Sequence, residues 1–251
     1  MRFTDKTVVL TGAGSGVGRG YAVGFCADGA RVLGMGRTQA DLEETARQCA
    51  GGRMTFIVGD VSKPEDVARL FAQAQAEFGR VDILVNNAAM YPKRAFLDSP
   101  ISDWIDTIGA NVNGMALCCH AALPGMLERG YGRVLNLGSY AWRKPIPNSA
   151  AYSASKGAVR SFTRALAVEI DRTQYPDVLI NELIPGMVRT RMSDMGESPA
   201  DVYRHAAFVA SLPRNGPHGQ TFAQSTMEVE DRGGLRTRLK RLLSKASGSS
   251  H

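Results

Sequence analysis

The chain has 251 residues, 44% of them hydrophobic, which suits one large α/β domain with a substantial core. No apolar run approaches the length of a membrane span, and the first ten residues lack a secretory leader's apolar core and cleavage site. The formal charge of +6 is carried by Arg232, Arg236, Arg238, Lys240, Arg241 and Lys245, so residues 1–231 are neutral on balance and carry no nucleic-acid footprint.

Apolar runs of strand length alternate with helical patterns along the chain. Strands are predicted at 7–11, 31–35, 54–58, 82–86, 133–137, 178–183 and 220–223. Helical spacings fall at 17–28, 39–49, 64–77, 102–129, 152–171 and 200–210. This alternation implies βαβ units and an α/β fold: a doubly wound, mostly parallel sheet of Rossmann type in three layers. Ser62-Lys-Pro-Glu65 reads as a helix start, with Ser62 as N-cap and Glu65 closing a capping box. No linker or repeat divides the chain. Residues 1–231 therefore read as one domain and 232–251 as a basic C-terminal extension. Cys26, Cys49, Cys118 and Cys119 show neither a disulfide framework nor metal-ligand spacing, so reduced thiols, a cytoplasmic location and no metal are expected.

Five short motifs, with the stretch from Ser139 to Lys156 counted as one, lie beyond the predicted strands. Thr11-Gly-Ala-Gly-Ser-Gly-Val-Gly18 joins the first strand to the first helix. Glycine there permits a tight turn and brings backbone amides close to a pyrophosphate at the helix N-terminus. Asn86-Asn-Ala-Ala89 ends the fourth strand, Asn111 lies within the long helix beyond it, Ser139 ends the fifth strand, and Pro185-Gly186 follows the sixth. Tyr152 and Lys156 stand at i and i+4, on one helix face, where a cation favours the phenolate. Ligands of such sheets bind beyond the carboxyl ends of the strands, the edge on which all five motifs converge.

In this order, over roughly residues 4–223, these motifs resemble the short-chain dehydrogenase/reductase family in its compact form. The resemblance implies a hydride-transferring oxidoreductase with a catalytic set at Asn111, Ser139, Tyr152 and Lys156. Tyr152 would exchange a proton with the substrate oxygen, Ser139 would orient that oxygen, and Asn111 would hold a water that relays protons to Lys156. It further implies cofactor contacts from Gly12, Ser15, Gly16, Val17 and Gly18, from Asp60 and Val61 at the adenine, and from Asn87 and Ala88 along the ribose. Pro185, Gly186, Val188 and Thr190 would meet the nicotinamide, with Tyr152 and Lys156 beside it. Ala89 departs from the family's usual glycine.

At the end of the second strand Gly36 stands where an NAD-binding acid would be, and Arg37 follows. A missing carboxylate beside a guanidinium suits the 2′-phosphate of NADP(H). Arg37 as an ordinary surface charge is the alternative. The substrate should be a small-molecule ketone or secondary alcohol, chosen by loops at 90–96, 140–149 and 187–203. Tyr91, Trp142, Met187, Met192 and Met195 offer apolar walls there, and Lys93, Arg94, Arg143 and Lys144 offer charge. A cofactor-binding or interaction protein with little turnover is the other reading of the same fold.

A homodimer or homotetramer is implied, with Met115, Leu117, Cys118, Val159, Phe162 and Leu166 on the paired helices. Beyond Gly234, Leu235, Leu239, Leu242 and Leu243 form an apolar stripe among basic residues. A short helix docked on the enzyme is favoured there over a membrane or nucleic-acid partner, and residues 246–251 read as a flexible end.

Overall fold

The computed structural model describes residues 1–190 and 194–228. The basic extension and Met192 lie outside the described residues.

One sheet of eight strands forms the middle layer: β1 Thr7–Thr11, β2 Arg31–Gly36, β3 Met54–Val58, β4 Ile83–Asn86, β5 Gly132–Leu137, β6 Val178–Ile184, β7 Thr221–Ala223 and β8 Thr226–Met227. Their order is β3-β2-β1-β4-β5-β6-β7-β8, parallel except for the final β7–β8 hairpin. Buried on both faces, β1, β4, β5 and β6 read in the sequence as continuous apolar runs. The side-chain period of two divides them between two cores. Val8 and Leu10 face the layer of α1 (Gly16–Ala27), α2 (Gln39–Gln48) and α7 (Tyr203–Ala210), whereas Val9 faces the opposite layer. That opposite layer holds α3 (Pro64–Phe78), α4 (Ile101–Ile108), α5 (Gly114–Glu128) and α6 (Ala150–Glu169). Strand order reverses between β1 and β4, which opens the ligand crevice at their carboxyl ends.

Three local expectations are corrected. The helix predicted over 102–129 is two α-helices joined by a π-helical turn, Gly109–Asn113, with Asn111 inside it. Ser62 does not cap α3: its hydroxyl donates to Asp60 Oδ1 at 2.8 Å, Lys63 holds the cap position, and Pro64 supplies the fixed φ of the first turn. Met115, Cys118 and Val159 pack in the chain's own core, so they cannot form an outer face. The exposed apolar residues of these helices are instead Ile101 and Ile105 on α4 and Val168 on α6.

Arg133 ties the strand ends opposite the crevice. Its buried guanidinium donates to the carbonyls of Gly132 (2.9 Å) and Leu212 (2.7 Å) and to Asp177 Oδ1 (2.5 Å). Arg133→Met leaves these acceptors in place without their donor. It should cost about 3 kcal/mol, read as a lower midpoint in thermal or urea unfolding.

Candidate active site

A cleft of about 380 Å³ runs along the carboxyl edge of the sheet. At one end lies the glycine turn, whose Gly12, Ser15, Gly16, Val17 and Gly18 all line it. Gly12 has φ +67, and a Cβ there would come within 2.8 Å of Asn87 Nδ2. A Cβ on Gly18 would overlap the Gly12 carbonyl, so only glycine lets this turn close against α1. Asn87 locks the turn to β4: its amide donates to the carbonyls of Thr11 (3.0 Å) and Gly12 (3.1 Å), while Thr11 Oγ1 accepts from the backbone of Asn87 and Ala88.

Gly36, Arg37 and Asp41 lie at the β2 side of the cleft, and Arg37 reaches Met90 Sδ at 3.9 Å. Asp60 and Val61 form the adjoining wall, with the Asp60 carboxylate accepting from the Ser62 backbone at 2.9 Å. Pro185 and Thr190 close the far side. Gly186 and Val188 do not line the cleft in this structure. Val188 is buried and bridges to Glu197.

The opposite end holds Tyr152 and Lys156, which α6 brings to one face. Ser139 follows β5 and opens a 3₁₀ turn, Tyr140–Trp142; its Oγ accepts from the Ala141 backbone at 3.2 Å and hydrogen-bonds the Tyr152 phenol. Burial pushes the phenol above its ordinary value, the Ser139 hydrogen bond pulls it back, and the neighbouring Tyr91 phenol pushes it further up. Lys156 is 4% exposed; its ammonium donates to the Leu137 carbonyl at 2.6 Å and lies 5.6 Å from the centroid of the Tyr152 ring. Burial lowers Lys156 to about 8, against the opposing pull of Glu182. The sequence-based expectation that a neighbouring cation lowers the phenol meets a burial that raises it, and the group opposing that burial is Ser139.

Asn111 lies behind the cleft. Its amide donates to the Met90 carbonyl (3.0 Å) and Ser155 Oγ (2.9 Å), and its Oδ1 accepts from the Met90 backbone (2.7 Å). Between Asn111 and Lys156 lies a cavity of about 10 Å³, also bordered by Thr11 and Asn86, with room for about one water. Asn86 Oδ1 is buried with no protein partner among the described residues.

Two features of the site escape motif reading. Tyr91 stacks on Tyr152, with ring centroids 4.6 Å apart and planes at 21°. Arg160, one turn beyond Lys156, is buried, packs on Trp142 at 4.5 Å and pairs with Glu182 at 3.2 Å. Trp142 is thereby a support for the turn, and Arg94 is held by Asp103 at 3.4 Å.

Residues 6–199 match the family model described as short chain dehydrogenase. The chain belongs to the short-chain dehydrogenase/reductase family. An uncharacterized oxidoreductase of Staphylococcus aureus (strain MRSA252) is 35% identical over 190 residues, covering 76% of this chain and 81% of that protein. An uncharacterized oxidoreductase of Staphylococcus saprophyticus is 32% identical over 219 residues, covering 83% and 92%. Among solved structures, a short chain dehydrogenase/reductase family protein superposes with a TM-score of 0.80 at 30% identity, covering 88% of this chain and 96% of that one. A short-chain dehydrogenase/reductase from Brucella melitensis, titled glucose/ribitol dehydrogenase, gives 0.78 at 28% identity, covering 88% and 95%. Membership makes this chain an oxidoreductase that uses a nicotinamide cofactor, and the glycine turn, with no room for a Cβ at Gly12 or Gly18, fits that group. Among the described residues, no helix is long and apolar enough to cross a membrane.

Gly18→Ala should weaken binding of the dinucleotide at least about tenfold, because the added methyl displaces the Gly12 carbonyl from the turn. Fluorescence titration of the reduced cofactor reads this directly; unchanged affinity would mean that the turn does not cradle it.

Proposed function

We propose that the chain is a cytoplasmic, NADP(H)-dependent oxidoreductase that interconverts ketones and secondary alcohols, with Tyr152 as general acid and base. One observation carries this reading: the Tyr152 phenol, hydrogen-bonded to Ser139, shares with buried Lys156 one end of a cleft whose other end holds the glycine turn and Arg37. The bound nicotinamide supplies or accepts the hydride.

In reduction, Tyr152 gives its proton to the carbonyl oxygen. A phenol held protonated by burial is the right form for that step. Ser139 accepts from the Ala141 backbone, which fixes its oxygen; its one hydrogen, shared with the Tyr152 phenol, would turn to the same substrate oxygen when substrate binds. Proton return to Tyr152 runs through Lys156 and a water in the small cavity, for which Asn86 Oδ1 and Asn111 are the acceptors. Both amide hydrogens of Asn111 are committed to Met90 and Ser155, so only its acceptor capacity faces that water. Lys156, Asn87 and Ala88 would hold the cofactor ribose, Asp60 and Val61 the adenine, and Pro185 and Thr190 the nicotinamide, all of them residues that line the cleft. Gly186 and Val188 act indirectly, by shaping the segment that carries Thr190.

The preference for NADP(H) rests on Arg37 beside Gly36. Asp41 lines the same end of the cleft, so the guanidinium must outweigh that carboxylate. The exposed Ile101, Ile105 and Val168 supply apolar surface for a homodimer or larger homo-oligomer.

Tyr152→Phe removes one hydroxyl and should lower kcat at least about a hundredfold, with cofactor affinity nearly unchanged. Retention of more than about a hundredth of the rate would rule out general acid catalysis by this residue. Arg37→Ala should weaken NADPH about tenfold to a hundredfold while sparing NADH, since only the former offers a 2′-phosphate. Equal losses for both cofactors would give Arg37 another role.

A further inference from the structure

β6 carries an acid in the middle of an apolar run. Glu182 is 1% exposed and points from the sheet toward α6, on the same face as Val178 and Ile180. Its Oε2 accepts from Thr221 Oγ1 at 2.6 Å and from Arg160 Nη1 at 3.2 Å. Its Oε1 has no protein partner among the described residues and lies against the Cα of Gly138, where any Cβ would overlap it. Gly138 stands between Leu137, whose carbonyl holds Lys156, and Ser139. The carboxylate thus lies directly beneath the segment that joins the two groups. A buried charge persists in such a place only when a counter-charge or hydrogen bonds compensate it.

We propose that Glu182 is a positioning residue for the reaction: a buried carboxylate that acts through Lys156 as its counter-charge and keeps the ammonium charged inside the protein. The inference rests on Lys156 being a working group of the site, as proposed above. Burial alone drives the Lys156 proton off, and Glu182 is the charge that opposes this. In turn Lys156 and Arg160, with the Thr221 hydroxyl, oppose the tendency of burial to protonate Glu182. The described titratable groups packed about this centre are Tyr152, Lys156 and Arg160 on α6, Tyr140 on the 3₁₀ turn, and Glu228 just beyond β8. Glu228 pairs with Arg160 at 3.3 Å and hydrogen-bonds Tyr140. It opposes the charged form of Glu182 but does not act directly on Lys156. Glu228→Gln is therefore the control: it loosens the same network without removing the counter-charge.

The test is a direct titration of Lys156 in the full chain without cofactor, by NMR of protein labelled with ¹³C at lysine Cε. The Lys156 signal is assigned by its loss in Lys156→Arg. The wild-type midpoint should lie near 8. Glu182→Gln should lower it by about one unit or more, the scale of an ammonium–carboxylate interaction across a few ångströms of protein. Glu228→Gln should leave it in place. If Glu182→Gln does not fold, the double variant Arg160→Met/Glu182→Met replaces the ion pair by an apolar one, a change buried pairs often tolerate. It should show a smaller downward shift, because loss of the Arg160 guanidinium works in the opposite direction. An unmoved midpoint in whichever Glu182 variant folds, or an equal shift in Glu228→Gln, overturns the proposal. Turnover plays no part in this readout, so a chain that reduced no ketone would leave the outcome equally clear.

Discussion

The hydrogen bond from Lys156 Nζ to the Leu137 carbonyl joins helix α6 to the end of β5, and the geometry of the site depends on it. Together with the buried Val159, Thr163 and Ala167 it sets which face of α6 meets the sheet, and with it the direction in which Tyr152, one turn earlier, projects into the cleft. It also brings a cation into a place that is 4% exposed, where its charge must be compensated by protein. The acids and amides around it follow from that requirement: Glu182 beneath Gly138 on one side, the Asn86–Asn111 cavity on the other.

The sheet supplies what a helix alone cannot. Parallel strands place every strand-to-helix junction on one edge, so residues as distant in sequence as Gly12 and Lys156 line a single cleft. Hydrogen bonds from Asn87 to the glycine turn and from Asn111 to Met90 hold β4 and its loop against both neighbours. That loop carries Tyr91, whose ring lies on Tyr152. The Asn86–Met90 segment, which borders the cleft, thus also positions the ring that covers one side of the phenol.

Much of this was legible in the sequence, because continuous apolar runs and glycine spacing report backbone facts directly. The strands from β1 to β6 appear as predicted, and of the residues singled out for the cofactor, all but Gly186 and Val188 line the cleft. What was missed depends on choices between nearly equal local hydrogen bonds. The π-helical turn at Gly109–Asn113 keeps a helical spacing of apolar residues, so it reads as unbroken helix. Ser62 has the chemistry of a cap, but Asp60 two residues earlier competes for its hydroxyl. The two-residue strand β8 has no pattern to read. Glu182 was visible as an acid inside an apolar strand, yet its meaning required knowing that Arg160 and Gly138 stand beside it.

Hydride transfer to a carbonyl carbon is read by isotope transfer from NADPH deuterated at the nicotinamide C4, across a panel of ketones. The product should be an alcohol that carries the deuterium on its carbinol carbon, formed faster with NADPH than with NADH. Cofactor that is consumed while the alcohol carbon gains no deuterium would contradict the proposed function, as would tight binding of NADPH with no carbonyl reduced anywhere in the panel.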